Sequence, residues 1–344
     1  MTAIVGIDIA QDKFDVCLMD AEGQRHQEAF ANTRSGINKL HTWLKKRGAK
    51  TAQVGLEATG IYGELVAETL HQRGYRVSVV NPARIKAYAA SQMQRNKTDT
   101  LDAALIADYC RTQQPPAWTP PSPELKELRA LVRHLDTLKR EKQRARNRLA
   151  AQNASQAVAR QLRAQITLLE KQIAQTEQLI RQHIDHYPDL KQQRDLLKSI
   201  PGIGDITACH LIAELGDLRR FDDVREVVAF IGLNPRQHQS GKKRVTHGIS
   251  RMGRASLRAA LYMPAIVAKR CNPRLKAWAE QLTQRGLTGK QVIVALMRKL
   301  VHLAYGVLKS GRAFDPHYGH PMPLSMAMAR GRKTLVNNRN KGSR

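Results

Sequence analysis

Two aspartates three residues apart, Asp99 and Asp102, lie in the stretch "RNKTDTLDAALIADYC", in a chain that carries 57 Lys and Arg against 29 Asp and Glu. At that spacing on a helix both carboxylates point the same way. Two further acids close short apolar runs: Asp8 ends "AIVGID" and Glu57 ends "AQVGLE". If those runs are strands one and four of a sheet ordered 3-2-1-4-5, they are neighbours, and the helix that starts at Asp99 lies across them. Four carboxylates gathered in one place repel each other unless a cation stands between them, and hard divalent ions take oxygen ligands of this kind. Two such ions can clamp the attacking and leaving oxygens of a phosphodiester. The expected chemistry is phosphodiester cleavage, with Mg²⁺ or Mn²⁺ held by Asp8, Glu57, Asp99 and Asp102. Asp108, six residues beyond Asp102, falls off that face and reads as structural.

The elements that must position these acids alternate. "KFDVCLMD" places Phe14, Val16 and Leu18 on one face, as a half-buried strand does. "GQRHQEAF" reads as a third strand. "RSGINKLHTWLKKRG" has helical spacing at Ile37, Leu40 and Leu44 and stops at Gly48. "GIYGELVAETLHQRG" is a helix closed by Gly74, and "YRVSVV" is the fifth strand. Helices follow in "ARIKAYAASQMQ" and "DTLDAALIADYCRT". The Pro-rich "PPAWTPPSP" then ends a first domain, 1–115.

A second segment, 123–187, contains neither Gly nor Pro between Glu124 and His186. Its apolar 3-4 spacing, through Leu125, Leu128, Val132, Leu135 and again through Val158, Leu162, Ile166, Leu169, Ile173 and Ile180, predicts two long helices. They form an antiparallel pair or a coiled coil, and self-association to a dimer or tetramer is expected from them. A third segment, 190–312, is mostly helical. The remainder, 313–344, has no acid beyond Asp315 and reads as a disordered basic tail.

The formal net charge is +28 and the sequence pI about 10.5. That balance points to a polyanionic partner, nucleic acid first. No apolar run is long enough to span a bilayer, so no membrane partner is expected and the cytoplasm is the expected location. Cys17, Cys110, Cys209 and Cys271 are far apart and read as isolated thiols rather than disulfides or a zinc site. His183 and His186, on a polar helix, are expected in solvent.

The third segment carries its own chemistry. In "SIPGIGDITA" the turn Pro201–Gly204 joins two helices as a helix-hairpin-helix does, and Gly202 and Gly204 expose N–H groups at a helix start, a seat for phosphate. From Val227 to Ala279 no Asp or Glu occurs, while Arg236, Lys242, Lys243, Arg244, Arg251, Arg254 and Arg258 do. An acid-free basic stretch tracks phosphates. Within it, Ser240 precedes Gly241. By itself that is an ordinary turn serine; a serine attacks phosphorus only when activated, and nearby cations could stabilise the charge that develops.

The phrases "GIDIA", "LEATG", "VNPARIKAYA" and "NKTDTLDA", in this order, resemble the DEDD transposases of the insertion sequence 110 group, which includes Piv-type invertases. "IPGIGDITACHLIAELGD", "FDDVREVVAFIGLNPRQHQSG" and "RASLRAALYMPA" resemble that group's C-terminal transposase domain, so the likeness covers about residues 3–312. It implies an α/β ribonuclease H-like (RuvC-like) domain, then coiled-coil-like helices and a mostly α-helical C-terminal domain. It assigns the family's four acids to Asp8, Glu57, Asp99 and Asp102, and a nucleophilic serine, covalently linked to DNA during the reaction, to Ser240. It also implies a composite site, with the acids of one subunit facing the serine of another, and a structured RNA from the element's noncoding end as guide. The rival readings are a RuvC-like Holliday-junction resolvase, in which Ser240 is incidental, and a non-enzymatic basic nucleic-acid-binding protein.

Overall fold

Five short runs rich in Val, Ile and Phe become the sheet of the first part of the chain, in a computed structural model that describes residues 3–58, 60–93, 98–151, 155–240 and 243–317. In chain order these are β1 (Ile4–Ile9), β2 (Lys13–Met19), β3 (Arg25–Ala31), α1 (Arg34–Lys46), β4 (Gln53–Glu57), α2 (Glu64–Gln72), β5 (Arg76–Val80), α3 (Pro82–Ser91) and α4 (Asp99–Gln113). A 3-10 turn over Gly60–Gly63 precedes α2, where the sequence suggested continuous helix. The strand order is β3-β2-β1-β4-β5, with β1 antiparallel to β2 and parallel to β4. The chain parts into two compact units between Pro120 and Pro121.

Each face of this sheet is covered. On one, Val5, Ile7, Phe14, Val16, Leu18, Val54 and Leu56 pack with Ile37, Leu40 and Leu44 of α1 and with Val66 and Leu70 of α2. On the other, Cys17 and Met19 pack with Ala103, Ala104 and Ala107 of α4. β2 is therefore buried on both sides rather than one. The thiol and thioether at alternate positions signal little periodicity, and α4 supplies the second cover. Trp118 N–H donates to Val77 O at 2.7 Å, so the Pro-rich segment runs along the outer edge of β5 and occupies it.

The approach of α4 is set by missing side chains. Gly6 and Gly55 are register partners in the β1/β4 pair. A Cβ on Gly6 would lie 2.1 Å from Ala103 O and 2.4 Å from Ala107 N, and one on Gly55 would lie 2.1 Å from Cys110 Sγ. The helix thus rests on bare strand backbone. Its start is fixed by Thr98, whose hydroxyl accepts from Leu101 N–H at 3.3 Å.

The second unit is helical: α5 (Pro123–Ala151), α6 (Gln156–His186), α7 (Pro188–Lys198), α8 (Asp205–Leu215), α9 (Val224–Ile231), α10 (Ala255–Cys271), α11 (Pro273–Gln284) and α12 (Gly289–Ser310), with a hairpin of β6 (Pro235–Ser240) and β7 (Lys243–Ile249) between α9 and α10. α5 and α6 run antiparallel, tied by Lys139–Glu177 at 2.9 Å, Arg146–Glu170 at 2.8 Å and His183 Nε2 to Glu124 O at 2.8 Å. His183 is thus half-buried and bonded, not free in solvent. Leu128, Val132, Leu135, Leu169, Ile173 and Ile180 share one core with α8, α10 and α12. From Leu162 onward the 3-4 repeat expected to drive self-association is consumed inside the chain, and α6 leaves Val158, Leu168 and Leu179 exposed, at 39%, 56% and 51%.

α12 is long and apolar enough to cross a membrane by length and composition, which the sequence reading overlooked. Here Val292, Leu296, Leu300, Val301 and Ala304 are core residues of the second unit. Cys17, Cys110 and Cys209 are buried thiols and Cys271 is exposed. Of the basic tail, residues 318–344 lie outside those described, as does Lys242.

Candidate active site

The residues on the α4 side of the sheet follow from the pleat. In β1 that side presents Gly6 and Asp8, in β4 Gly55 and Glu57, and in β2 Lys13, Asp15 and Cys17, because alternate residues share a face. Gly6 pairs with Gly55 and Asp8 pairs with Asp15. Asp15, Asp8 and Glu57 consequently form a row across three adjacent strands. The first turn of α4 contributes Asp99 and Asp102. All four expected acids are brought to one end of one sheet face.

They feel one another. The Asp8 carboxyl is pushed up to about 6, first by burial and then by the negative charges of Asp102, Glu57 and Asp99. A half-buried acid surrounded by three others favours either a proton or a cation. All donors here are hard carboxylate oxygens, so the set fits Mg²⁺ or Mn²⁺ better than a softer metal. Among the described residues, no group of three or more His, Cys, Asp or Glu is gathered closely enough to enclose an ion. Ligation therefore requires the carboxylates to close further.

Two participants were missed from sequence. Lys13 Nζ lies 3.0 Å from Asp99 Oδ2 and 3.0 Å from Asp15 Oδ2. It supplies a positive charge at the edge of the row. The signal was present in the alternation itself: Lys13 and Asp15 occupy the face opposite Phe14 and Val16. Asp108 is structural as expected. It accepts from Tyr88 Oη at 2.6 Å and from Arg111 at 2.6 Å, which fastens α3 to α4.

In the second unit, α7, the turn 199–204 and α8 form two helices joined by a tight turn, and the two glycines of the turn differ. Gly202 has φ +108°, and a Cβ there would meet Ala268 Cβ at 2.6 Å, so it packs against α10. Gly204 has open space where a Cβ would be. The first turn of α8 already holds Asp205, 2.8 Å from Lys198 Nζ, which supplies a negative charge at that helix start from within the chain.

The basic stretch is a hairpin and the loop after it. Ser240 closes β6, its backbone paired with Lys243. The side chains of Ser240, Lys243 and Arg244 lie outside those described. Arg236, Arg251 and Arg254 are exposed. Arg258 instead donates to Ile231 O at 2.7 Å and braces the end of α9.

Comparisons with known proteins show which family the chain resembles. Residues 5–152 match the DEDD-type transposase family of the IS110 group, and residues 194–280 match the transposase IS116/IS110/IS902 family. The pilin gene-inverting protein of Moraxella bovis is 36% identical over 317 residues, covering 90% of this chain and 97% of that protein. The transposase for insertion sequence element IS1328 of Yersinia enterocolitica is 27% identical over 346 residues, covering 91% and 98%. An α/β unit with acids at its strand ends, followed by a helical unit with a basic hairpin, spans both matched regions, and the chain belongs to the IS110 family of DEDD transposases, which are DNA recombinases.

Proposed function

We propose that the chain is a recombinase that mobilises an insertion element or inverts a DNA segment, acting on bacterial DNA at the nucleoid. Mg²⁺ or Mn²⁺ would be held by Asp8, Glu57, Asp99 and Asp102, and Ser240 would be the nucleophile. The observation that supports the metal site is the convergence of the row across β1 and β4 with the first turn of α4, where burial first and then the charges of Asp102, Glu57 and Asp99 raise Asp8. Divalent ions bound there would stabilise charge on the oxygens of a phosphodiester.

The chain's own groups have distinct tasks. Asp8 and Glu57, on rigid strands, fix the site against the sheet. Asp99 and Asp102, on α4, complete it from above. Lys13 holds Asp99 in place. Ser240 Oγ attacks phosphorus, its proton passing to solvent, and a P–O bond to one DNA end breaks to release a hydroxyl. The resulting phosphoserine ester is resolved when the hydroxyl of another DNA end displaces the serine, so no bond is lost overall. The family resemblance supports that role and a composite site in which the acids and the serine come from different subunits of a dimer or tetramer. It also supports a guide RNA; the chain's surplus of positive charge and its 5% aromatic content are in keeping with contacts to phosphate rather than base stacking.

The test is a denaturation-resistant adduct. Full-length protein incubated with element-end DNA, its RNA transcript and Mg²⁺ should yield a covalent complex in detergent. Ser240→Ala should bind nucleic acid and give no adduct, and Asp102→Asn should give none either. An adduct formed at the wild-type level by Ser240→Ala would remove the serine from the mechanism.

A further inference from the structure

Four arginines converge on the C-terminal end of α8, in the second unit. Arg129 Nε donates to Ala213 O at 3.0 Å, and Arg220 NH2 reaches Glu214 O at 3.5 Å. Arg133 Nε lies 3.1 Å from Glu214 Oε1, and Arg254 Nε 3.7 Å from Glu214 Oε2. They come from α5, from the 3-10 turn Leu218–Arg220 and from the residue before α10. The guanidiniums of Arg220 and Arg254 both stand over the Phe230 ring, at 4.7 Å and 5.7 Å, and Arg220 also over Phe221 at 4.6 Å.

The charges do not balance. Leaving out Arg129, which is otherwise engaged, three guanidiniums stand against one buried carboxylate, Glu214, and the partial negative charge of a helix end, about half an elementary charge. Asp217 is nearby but is held by Arg219, 3.0 Å from it. More than one positive charge is left over. Arg220 is pushed down to about 10, first by burial and then by the neighbouring charges of Arg129 and Arg254. Although its guanidinium is enclosed by rings and neighbours, the residue as a whole is exposed. The side chains of Arg133 and Arg254 are 40% and 49% exposed, so a ligand can reach the group. The second Glu214 oxygen is buried and without a hydrogen bond, so it offsets part of the charge from 3.7 Å without occupying the Arg254 donors.

We infer that Arg220 and Arg254, backed by Arg129 and Arg133, form a seat for a backbone phosphate of nucleic acid, built from side chains other than the four acids and those of the hairpin strands. Planar guanidiniums stacked on Phe rings are held ready, and their forked N–H groups match phosphate oxygens. The seat makes no base contact, so it positions the strand rather than choosing sequence. This inference rests on the reading of the chain as a nucleic-acid enzyme, but not on its cleavage chemistry.

The experiment is binding by fluorescence anisotropy, with the full chain in EDTA so that no strand is cut. The probes are a random-sequence duplex DNA and an RNA hairpin of similar length, each across a salt series. Arg220→Gln should weaken one probe roughly tenfold and lower its slope of log affinity against log salt by about 1. Arg254→Gln, which remains available if Arg220→Gln melts early, should do the same. Arg219→Gln, a neighbouring charge whose side chain is 92% exposed and lies outside the cluster, is the control and should change affinity less than about twofold. Loss confined to the duplex assigns the seat to DNA; loss confined to the hairpin assigns it to RNA. If Arg220→Gln and Arg254→Gln bind both probes as the wild type does, or lose no more than Arg219→Gln, the seat does not exist. Failure of the metal-site reading leaves this result untouched, because binding is read without metal.

Discussion

Replacing Gly6 by Ala inserts one methyl group where two backbones meet. Its carbon would stand 2.1 Å from Ala103 O and 2.4 Å from Ala107 N, both main-chain atoms of α4. An ordinary contact is about 3.4 Å, so α4 must retreat by roughly 1 Å or tilt at its first turns. No side chain can yield instead. Overpacking of this kind costs about 1–3 kcal/mol, and backbone on both sides puts Gly6→Ala at the upper end. The same movement carries Asp99 and Asp102 away from Asp8 and Glu57, and a displacement of about 1 Å at a reacting centre lowers rate by roughly a hundredfold. Gly55→Ala is the informative contrast. Its methyl meets Cys110 Sγ at 2.1 Å, the end of a side chain. Cys110→Ala should therefore relieve Gly55→Ala, with a coupling of about 1–2 kcal/mol in the double variant, and should do nothing for Gly6→Ala. Urea unfolding with amide exchange of α4, together with DNA strand cleavage assayed in Mg²⁺, reads both effects. Gly6→Ala with wild-type stability and cleavage would refute the claim that bare glycine backbone sets the height of α4.

Other outcomes follow from the same geometry. Asp8 is raised from 3.8 unfolded to about 6 folded, so in EDTA its contribution is fully present below pH 4 and is lost as pH rises through 6. The unscreened limit is ~3 kcal/mol; with the group half exposed, ~1–2 kcal/mol is expected. The stability difference between wild type and Asp8→Asn should thus shift with pH in EDTA and shrink when Mg²⁺ is added at pH 7.5; a pH-independent difference would contradict the repulsion. Leu168→Glu with Leu179→Glu should leave the fold intact, because both side chains are exposed; if α6 contributes to the oligomer, light scattering will show a smaller species, and an unchanged mass moves the contact elsewhere. Ribonuclease treatment of protein purified with its element should abolish recombination, and only the element's own transcript should restore it; full activity with unchanged site choice after treatment would eliminate the guide.

Much of this arrangement was legible in the residues. The strand order supposed for the sheet is the one found, which puts Asp8 and Glu57 at the ends of adjacent strands, and α4 begins at Asp99 as its spacing with Asp102 suggested. What escaped depended on contacts distant in sequence. The hairpin of β6 and β7 was hidden because "PRQHQS" and "KRVTHGI" are polar and basic, with only a weak strand pattern. The apolar stripe of α5 and α6 has the same period whether it meets another chain or its own core, so periodicity could not say that α8, α10 and α12 cover it. Lys13 could not be tied to Asp99 across 86 residues without the fold in hand. The arginines at the end of α8 come from three separate places, and no local motif joins Arg129 and Arg133 to Arg220 and Arg254.

The proposed metal site joins Asp8 and Glu57 of the sheet to Asp99 and Asp102 of α4. Its most direct measurement is Mn²⁺ binding to the full chain, followed by electron paramagnetic resonance, for the wild type and for Asp8→Asn, Glu57→Gln, Asp99→Asn and Asp102→Asn, with Asp108→Asn as control. Each of the four should weaken Mn²⁺ at least roughly tenfold, the loss expected when one ligand of a hard-ion site is removed. Asp108→Asn, whose partners are Tyr88 and Arg111, should bind as the wild type does. Equal binding by all six proteins would contradict the account.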